Sequence, residues 1–313
     1  MKFSRLFWPI YYKKDIIYIL DETRLPAQVT YLKAKNYQEA CKAIKDMKTR
    51  AVGQVILVMY IFLQLVRKNQ GKKNLLPLLR KVAKTISATR PTLSFRYLTD
   101  MVLGWEKQRL PLEKCIVRFL ETLKNKRILQ AETASKLFKN GDCILTHCNV
   151  SGLLPLIAEF CRQDKKKISF FVTETRPYLQ GSRLTAWELQ EAGVPCTIIA
   201  DNMVAQVMEE KKVSKTIVGA DHLARNGDIA NKIGTYQIAL LSKHFNIPFY
   251  VLCPPPSQAR TGNDIRIEIR PDKELLEFQG VRIAPKGAQG YYPAFDVTPH
   301  TLITRHIPLE ISR

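Results

Sequence analysis

From residue 143 onward, short β-rich runs alternate with helical stretches. "CILTH" 143–147, "ISFFVTE" 168–174, "PCTIIA" 195–200, "KTIVGA" 215–220 and "PFYVLC" 248–253 read as strands. Residues 151–163, 182–193, 202–211 and 233–245 lie between them and read as helices. Parallel neighbours need a crossover, and crossovers of this kind are right-handed, so the alternation leads to a doubly wound α/β sheet. A Rossmann-like domain is therefore expected over 127–313.

The first part of the chain has a different rhythm. Strands are expected at 15–20 and 27–31, and helices at 36–48, 51–69, 74–88, 92–106, 111–125 and 131–139. This predicts a mainly helical N-terminal domain with a small β element over 1–126, joined to the second domain through a helix rather than a flexible tether. A chain of 313 residues suits two such domains. The apolar stretch "AVGQVILVMYIFLQLV", 51–66, is short for a membrane span and carries Gly and Gln, so a buried helix is expected. The basic, aromatic N-terminus has no small-residue cleavage site, and no signal peptide is expected. The 7 cysteines form no C-x-x-C and no zinc spacing, which suits reduced thiols in the cytoplasm and a chain without metal.

Lys and Arg number 49 against 28 Asp and Glu, a net charge of +21. Such a field attracts anions: phosphorylated metabolites, nucleic acid or acidic membranes. The basic runs at 67–73, 124–127, 165–167 and 211–212 are scattered and read as solvated faces. Most aromatics fall at core-like spacing rather than among basic clusters. Neither nucleic acid nor a membrane is expected as a partner; a small phosphorylated ligand is.

A doubly wound sheet keeps its chemistry at the C-terminal ends of its strands. His147, Cys148 and Asn149 follow the first strand. Arg176, Gln180, Gly181-Ser182 and Arg183 follow the second, with a helix start at 181–182 that would favour an anion. Asp201 follows the third; Asp221, Asn226-Gly227 and Asn231-Lys232 follow the fourth. Each has a plain structural reading. Cys148 could be a small buried hydrophobe, Asp201 and Asp221 helix N-caps, Asn226-Gly227 a turn, and Lys232 a solvated cation. Their convergence on one sheet edge is what points to a site. No G-x-G-x-x-G follows a strand, so a dinucleotide-binding function is not supported, and no P-loop motif occurs.

The stretches "THCN" 146–149, "ETRPYLQGSRLTAWEL" 174–189, "GADHLARNGDIANKIGTY" 219–236 and "YYPAFDVTP" 291–299 resemble the methylthioribose-1-phosphate isomerase family. That family is similar in turn to ribose-1,5-bisphosphate isomerases and to regulatory subunits of the translation initiation exchange factor. "ILDETRLP" 19–26, "AIKDMKTRAVGQ" 43–54 and "TRPT" 89–92 carry the likeness into the N-terminal half. The resemblance implies Cys148 and Asp221 as catalytic residues. It implies Arg50, Ala51, Arg90, Gln180, Asn231 and Lys232 as substrate-binding positions, a homodimer, and neither metal nor redox cofactor.

The implied reaction turns an aldose 1-phosphate into a ketose 1-phosphate. With phosphate on the C1 oxygen, the ring cannot open as a free hemiacetal would. A carboxylic acid at Asp221 could protonate the ring oxygen while the Cys148 thiol works at C1 and C2. Arg50 and Arg90 could hold the phosphate bidentately. The family's "RGAPAIG" stands here as "TRAVGQV" 49–55, with Ala51 in place of a glycine. This leaves open whether the substrate is methylthioribose 1-phosphate or a related 5-deoxy-pentose 1-phosphate. The other reading is a non-catalytic regulatory subunit that senses a sugar phosphate or nucleotide; such a sensor has no need of the thiol–acid pair.

Overall fold

The computed structural model describes residues 3–72, 74–90 and 95–309. The chain divides after Arg127 into two compact units. In the N-terminal unit β1 (Ile10–Lys13), β2 (Ile16–Leu20) and β3 (Tyr31–Ala34) form an antiparallel sheet. Lys14 and Asp15 join β1 to β2, both at positive φ (49° and 58°). A two-residue hairpin needs that geometry to match strand twist, and Asn-Gly usually supplies it. A Lys-Asp pair gives no such signal, so β1 is absent from the sequence reading. The strand expected at 27–31 begins only at Tyr31, where pairing with Leu20 starts. Residues 24–28 are held in a turn by the Gln28 N–H donating to Arg24 O at 2.9 Å.

Five helices follow: α1 (Tyr37–Lys45), α2 (Val52–Lys68), α3 (Leu76–Thr89), α4 (Arg96–Lys107) and α5 (Leu112–Ser135). The first positions expected for α4, 92–94, lie outside the described residues. Ile56, Leu57, Val58, Met59, Ile61 and Phe62 of α2 are fully buried, as expected for 51–69. Among the described residues, no helix is long and apolar enough to cross a membrane. The two helices expected at 111–125 and 131–139 are the single α5. Residues 126–130 between them contain neither Gly nor Pro, and Lys, Arg, Leu and Gln propagate a helix well.

The C-terminal unit is the α/β domain. Its strands are β4 (Cys143–Thr146), β5 (Ser169–Thr173), β6 (Cys196–Ile199), β7 (Lys215–Gly219), β8 (His222–Leu223), β9 (Ile229–Lys232) and β10 (Phe249–Cys253). The two-residue strands β11 (Ile269–Arg270), β12 (Glu277–Phe278), β13 (Val281–Arg282) and β14 (Tyr292–Pro293) pair β11 with β14 and β12 with β13. β15 (Phe295–Thr298) and β16 (Arg305–Pro308) complete the set. Helices α6 (Leu153–Gln163), α7 (Ala186–Glu191), α8 (Val204–Glu209) and α9 (Thr235–His244) form the crossovers.

The main sheet has six parallel strands in the order β16-β10-β7-β4-β5-β6. The chain therefore starts in the middle at β4, moves outward through β5 and β6, returns to lay β7 on the other side of β4, and continues outward through β10. Right-handed crossovers in opposite directions put their helices on opposite faces. On one face Val204, Val207 and Met208 of α8 and Ile238 and Ala239 of α9 pack on Leu145, Val218 and Val251 of the sheet. The direction reverses between β4 and β7. Loops leaving the C-terminal ends of those strands run opposite ways and open a crevice there. The sixth strand, β16, was not among the expected strands; it closes the β10 edge from the far end of the chain.

Candidate active site

Two residues after β4 the chain turns sharply. Cys148 and Ser151 lie at φ 63° and 51°, and Gly152 at 81°. Side chains from the 175–188 segment hold this turn. The Cys148 N–H donates to Thr175 Oγ1 (2.9 Å), and its carbonyl accepts from Thr185 Oγ1 (2.6 Å). The Asn149 amide donates to Thr185 Oγ1 (3.0 Å) and Glu188 Oε1 (2.8 Å). Cys41, Cys161 and Cys253 are buried, and burial pushes their thiols up to about 11, 11 and 12. Cys148 is instead half-buried at a strand end.

The second segment is itself constrained. Thr175, β-branched, sits at φ 64°, an outlier for its type. Asp201 holds it there: its carboxylate accepts the N–H groups of Thr175 (2.7 Å) and Arg176 (2.6 Å). Asp201 thus clamps this loop. Burial and the nearby Asp201 raise the pKa of Glu174. The helix start expected at 181–182 is a π-turn, Gly181–Thr185. The Ser182 and Arg183 N–H groups are already donated to Glu174 O (3.4 Å) and Leu179 O (2.9 Å), so they are not open to an anion. Gln180 is buried, and among the described residues its Oε1 has no hydrogen-bond partner. An amide oxygen left so costs about 1–3 kcal/mol, and a ligand hydroxyl would recover it.

The third segment is built on a second, antiparallel sheet, β15-β9-β8. Asp221, exposed just before β8, donates its N–H to Ala230 O at 2.9 Å, which brings residue 221 beside the end of β9. Asn226-Gly227 is the turn of that hairpin, with Gly227 at φ 94°. Asn231 and Lys232, on β9, are both buried. The Asn231 amide donates to Thr235 Oγ1 (2.9 Å). Lys232 Nζ lies 4.7 Å from the Phe295 ring centroid and 5.9 Å from that of Tyr292, a cation–π arrangement.

Three links draw these segments together. A Cβ on Gly219 would come within 2.9 Å of Val150 Cγ1, so the end of β7 abuts the Cys148 loop. His147, fully buried, reaches Thr173 Oγ1 with Nδ1 (2.6 Å) and Ile233 O with Nε2 (2.9 Å). A carbonyl only accepts, so Nε2 carries the proton and the Thr173 hydroxyl donates to Nδ1. Burial lowers the pKa of His147, with Lys232 acting in the same sense and Asp201 against it. Asp296, on β15, accepts the N–H groups of Gly234 (2.7 Å) and Tyr236 (3.1 Å) and so fixes the start of α9. Asp296 lies within "YYPAFDVTP" 291–299, and its partners lie some sixty residues earlier. Cys148, Gln180, Asp221, Asn231 and Lys232 thus lie on connected segments at the C-terminal ends of β4, β5 and β7.

Burial pushes the Asp296 carboxyl up to about 6, against the opposing effect of those N–H groups and Lys232. A folded value above the usual 3.8 means that folding favours the protonated form. Its contribution is complete below about pH 4 and is lost as pH rises through about 6, by up to about 3 kcal/mol. Denaturant midpoints of wild type and Asp296→Asn should therefore diverge in slope between pH 4 and 6. Parallel profiles would contradict it.

Arg50, Ala51 and Arg90 belong to the N-terminal unit, where one network ties the two arginines together. Buried Glu22 accepts the Arg50 N–H (3.1 Å) and the Thr49 hydroxyl (2.7 Å), and pairs with Arg50 Nε (3.5 Å). Burial raises the pKa of Glu22 while Arg50 lowers it. Gln54 donates to Thr49 O (2.9 Å) and accepts from Arg90 (3.2 Å). Ala51 stands at φ 44°, ψ −122°, a conformation that suits glycine. Strain there costs about 1–3 kcal/mol, whereas the extra unfolded-state entropy of glycine costs about 0.5–1 kcal/mol. Ala51→Gly should therefore stabilise the protein by about 1 kcal/mol, read as a raised denaturation midpoint.

The profile of the Initiation factor 2 subunit family matches residues 48–308, and the chain belongs to that family. It is 38% identical over 314 residues to methylthioribose-1-phosphate isomerase 1 of Pseudothermotoga lettingae, covering 91% of this chain and 89% of the relative. The crystal structure of 5-methylthioribose 1-phosphate isomerase from Pyrococcus horikoshii superposes with a TM-score of 0.87 at 30% identity, covering 97% of this chain and 91% of that one. The translation initiation factor eIF-2B, subunit delta, from A. fulgidus superposes at 0.83 with 32% identity, covering 96% and 94%.

Proposed function

We propose that this protein is an aldose–ketose isomerase acting on methylthioribose 1-phosphate or a related 5-deoxy-pentose 1-phosphate. The observation that carries the reading is the position of Cys148 and Asp221, each two residues beyond adjacent strands β4 and β7 whose ends flank the switch point. Asp221 donates a proton to the ring oxygen as the bond from C1 to that oxygen breaks. A hydrogen leaves C2 and arrives at C1, with Cys148 serving the proton transfers at these carbons, and the C2 hydroxyl returns its proton to the Asp221 carboxylate as the ketone forms. The C2 alcohol is oxidised to a ketone while C1 is reduced, so no external oxidant or reductant is consumed. Gln180 and Asn231 bind sugar hydroxyls and Lys232 the phosphate, while Arg50, Ala51 and Arg90 are the substrate-binding positions that the N-terminal unit contributes to the reading. The reading includes a homodimer working in the cytoplasm.

The likeness to an initiation-factor subunit favours a second reading, a sensor that binds a sugar phosphate without converting it. Incubation with methylthioribose 1-phosphate separates the two. The isomerase produces a ketone resonance in the carbon NMR spectrum, while saturable binding with no ketone would support the sensor.

A further inference from the structure

We propose that His147 is a positioning residue of this site, a latch that sets the Cys148 turn against the corner carrying Asn231 and Lys232. The inference rests on the isomerase reading and adds to it a residue that touches none of the reacting atoms. Cys148 leaves the end of β4, whereas Lys232 arrives on β9, in a different sheet. Their backbones are far apart in sequence, and their relative placement must be set by contacts between the two segments. The His147 ring makes that contact: Nε2–H donates to Ile233 O at 2.9 Å, one residue beyond Lys232 and one residue before the Gly234 cap of α9.

The other ring nitrogen closes the circuit. Nδ1 accepts from Thr173 Oγ1 at 2.6 Å. Thr175, two residues on, donates to Thr173 O (3.2 Å) and accepts the Cys148 N–H (2.9 Å). One buried imidazole therefore couples the Cys148 turn, the end of β5 and the β9–α9 corner. Gly234 leaves it no slack, since a Cβ there would lie 3.2 Å from two ring atoms. Positional errors of about 1 Å at a reacting group cost about a hundredfold in rate. β9 is held by its pairing with β8 and β15, so Asn231 and Lys232 keep their place and the error falls on the Cys148 turn.

His147→Phe keeps the volume and removes both hydrogen bonds. His147→Gln keeps an amide N–H that can reach Ile233 O. Rates per folded molecule, corrected by thermal melting, are expected to show kcat of His147→Phe down about a hundredfold with KM within about threefold. His147→Gln should recover most of that loss. Alkylation of Cys148, followed by peptide mass spectrometry, should also change rate in His147→Phe; it needs no turnover. If His147→Phe does not fold, Thr173→Val, which removes the Nδ1 donor together with the 3.3 Å contact to Thr175 Oγ1, decides in the same assays. An active wild type whose variants keep its kcat and its Cys148 alkylation rate would overturn the latch and leave the isomerase intact. An inactive wild type would instead end the isomerase reading, and with it the latch.

Discussion

Cys148→Ala and Asp221→Asn should each lower kcat on methylthioribose 1-phosphate by about a thousandfold, within the range that general acid–base catalysis supplies. Neither change should unfold the protein. Cys148 is half-buried and Asp221 exposed, so neither leaves a cavity in the core. The double variant should be little worse than either single one, because two groups serving one reaction are not additive. Equal melting temperatures with unequal turnover would place the loss in chemistry. Wild-type turnover in either single variant would remove that residue from the mechanism.

The second large effect concerns architecture. Gly181→Ala should cost more than about 4 kcal/mol, or abolish folding of the α/β unit. An added Cβ would stand 1.7 Å from Thr173 O and 2.9 Å from Thr175 Oγ1. The first of these is backbone at the end of β5, and it cannot swing away as the tip of a long side chain can. Thr173 also donates to His147, and Thr175 holds the Cys148 N–H, so the displacement would reach every segment of the site. Gly104→Ala is the matched control. That glycine lies within α4, among the described residues nothing beyond its own helix stands within 4 Å of its added Cβ, and helix propensity alone should stabilise by up to about 1 kcal/mol. Denaturant unfolding of the two variants, side by side, reads both effects.

What the sequence disclosed follows from how local each signal is. The runs at 143–147, 168–174, 215–220 and 248–253 are mostly buried parallel strands, which burial makes near-continuously apolar, and 195–200 is the partly exposed edge strand β6, legible from its length and spacing. The two helices expected at 111–125 and 131–139 are one, α5, because residues 126–130 contain neither Gly nor Pro to break it. β1 escaped because its turn uses Lys14 and Asp15 at positive φ. The candidate residues at strand ends were legible because the α/β sheet tells where to look. Other parts depend on contacts distant in sequence. Asp296 reaches Gly234 and Tyr236 across the β15–β9 pairing. His147 reaches Ile233 eighty-six positions away, and no spacing rule encodes that partner. Asp201 looked like a helix cap because such acids usually are; its bonds run instead to the Thr175–Arg176 backbone.

We propose that the Cys148 thiol faces the bound sugar phosphate at the switch point of the sheet. The most direct measurement is the rate at which Cys148 is alkylated, resolved from the other cysteines by peptide mass spectrometry, with and without saturating methylthioribose 1-phosphate. Strong protection of Cys148, with Cys143 and Cys196 reacting as before, is the predicted result. An unchanged Cys148 rate at ligand concentrations that saturate binding would contradict it.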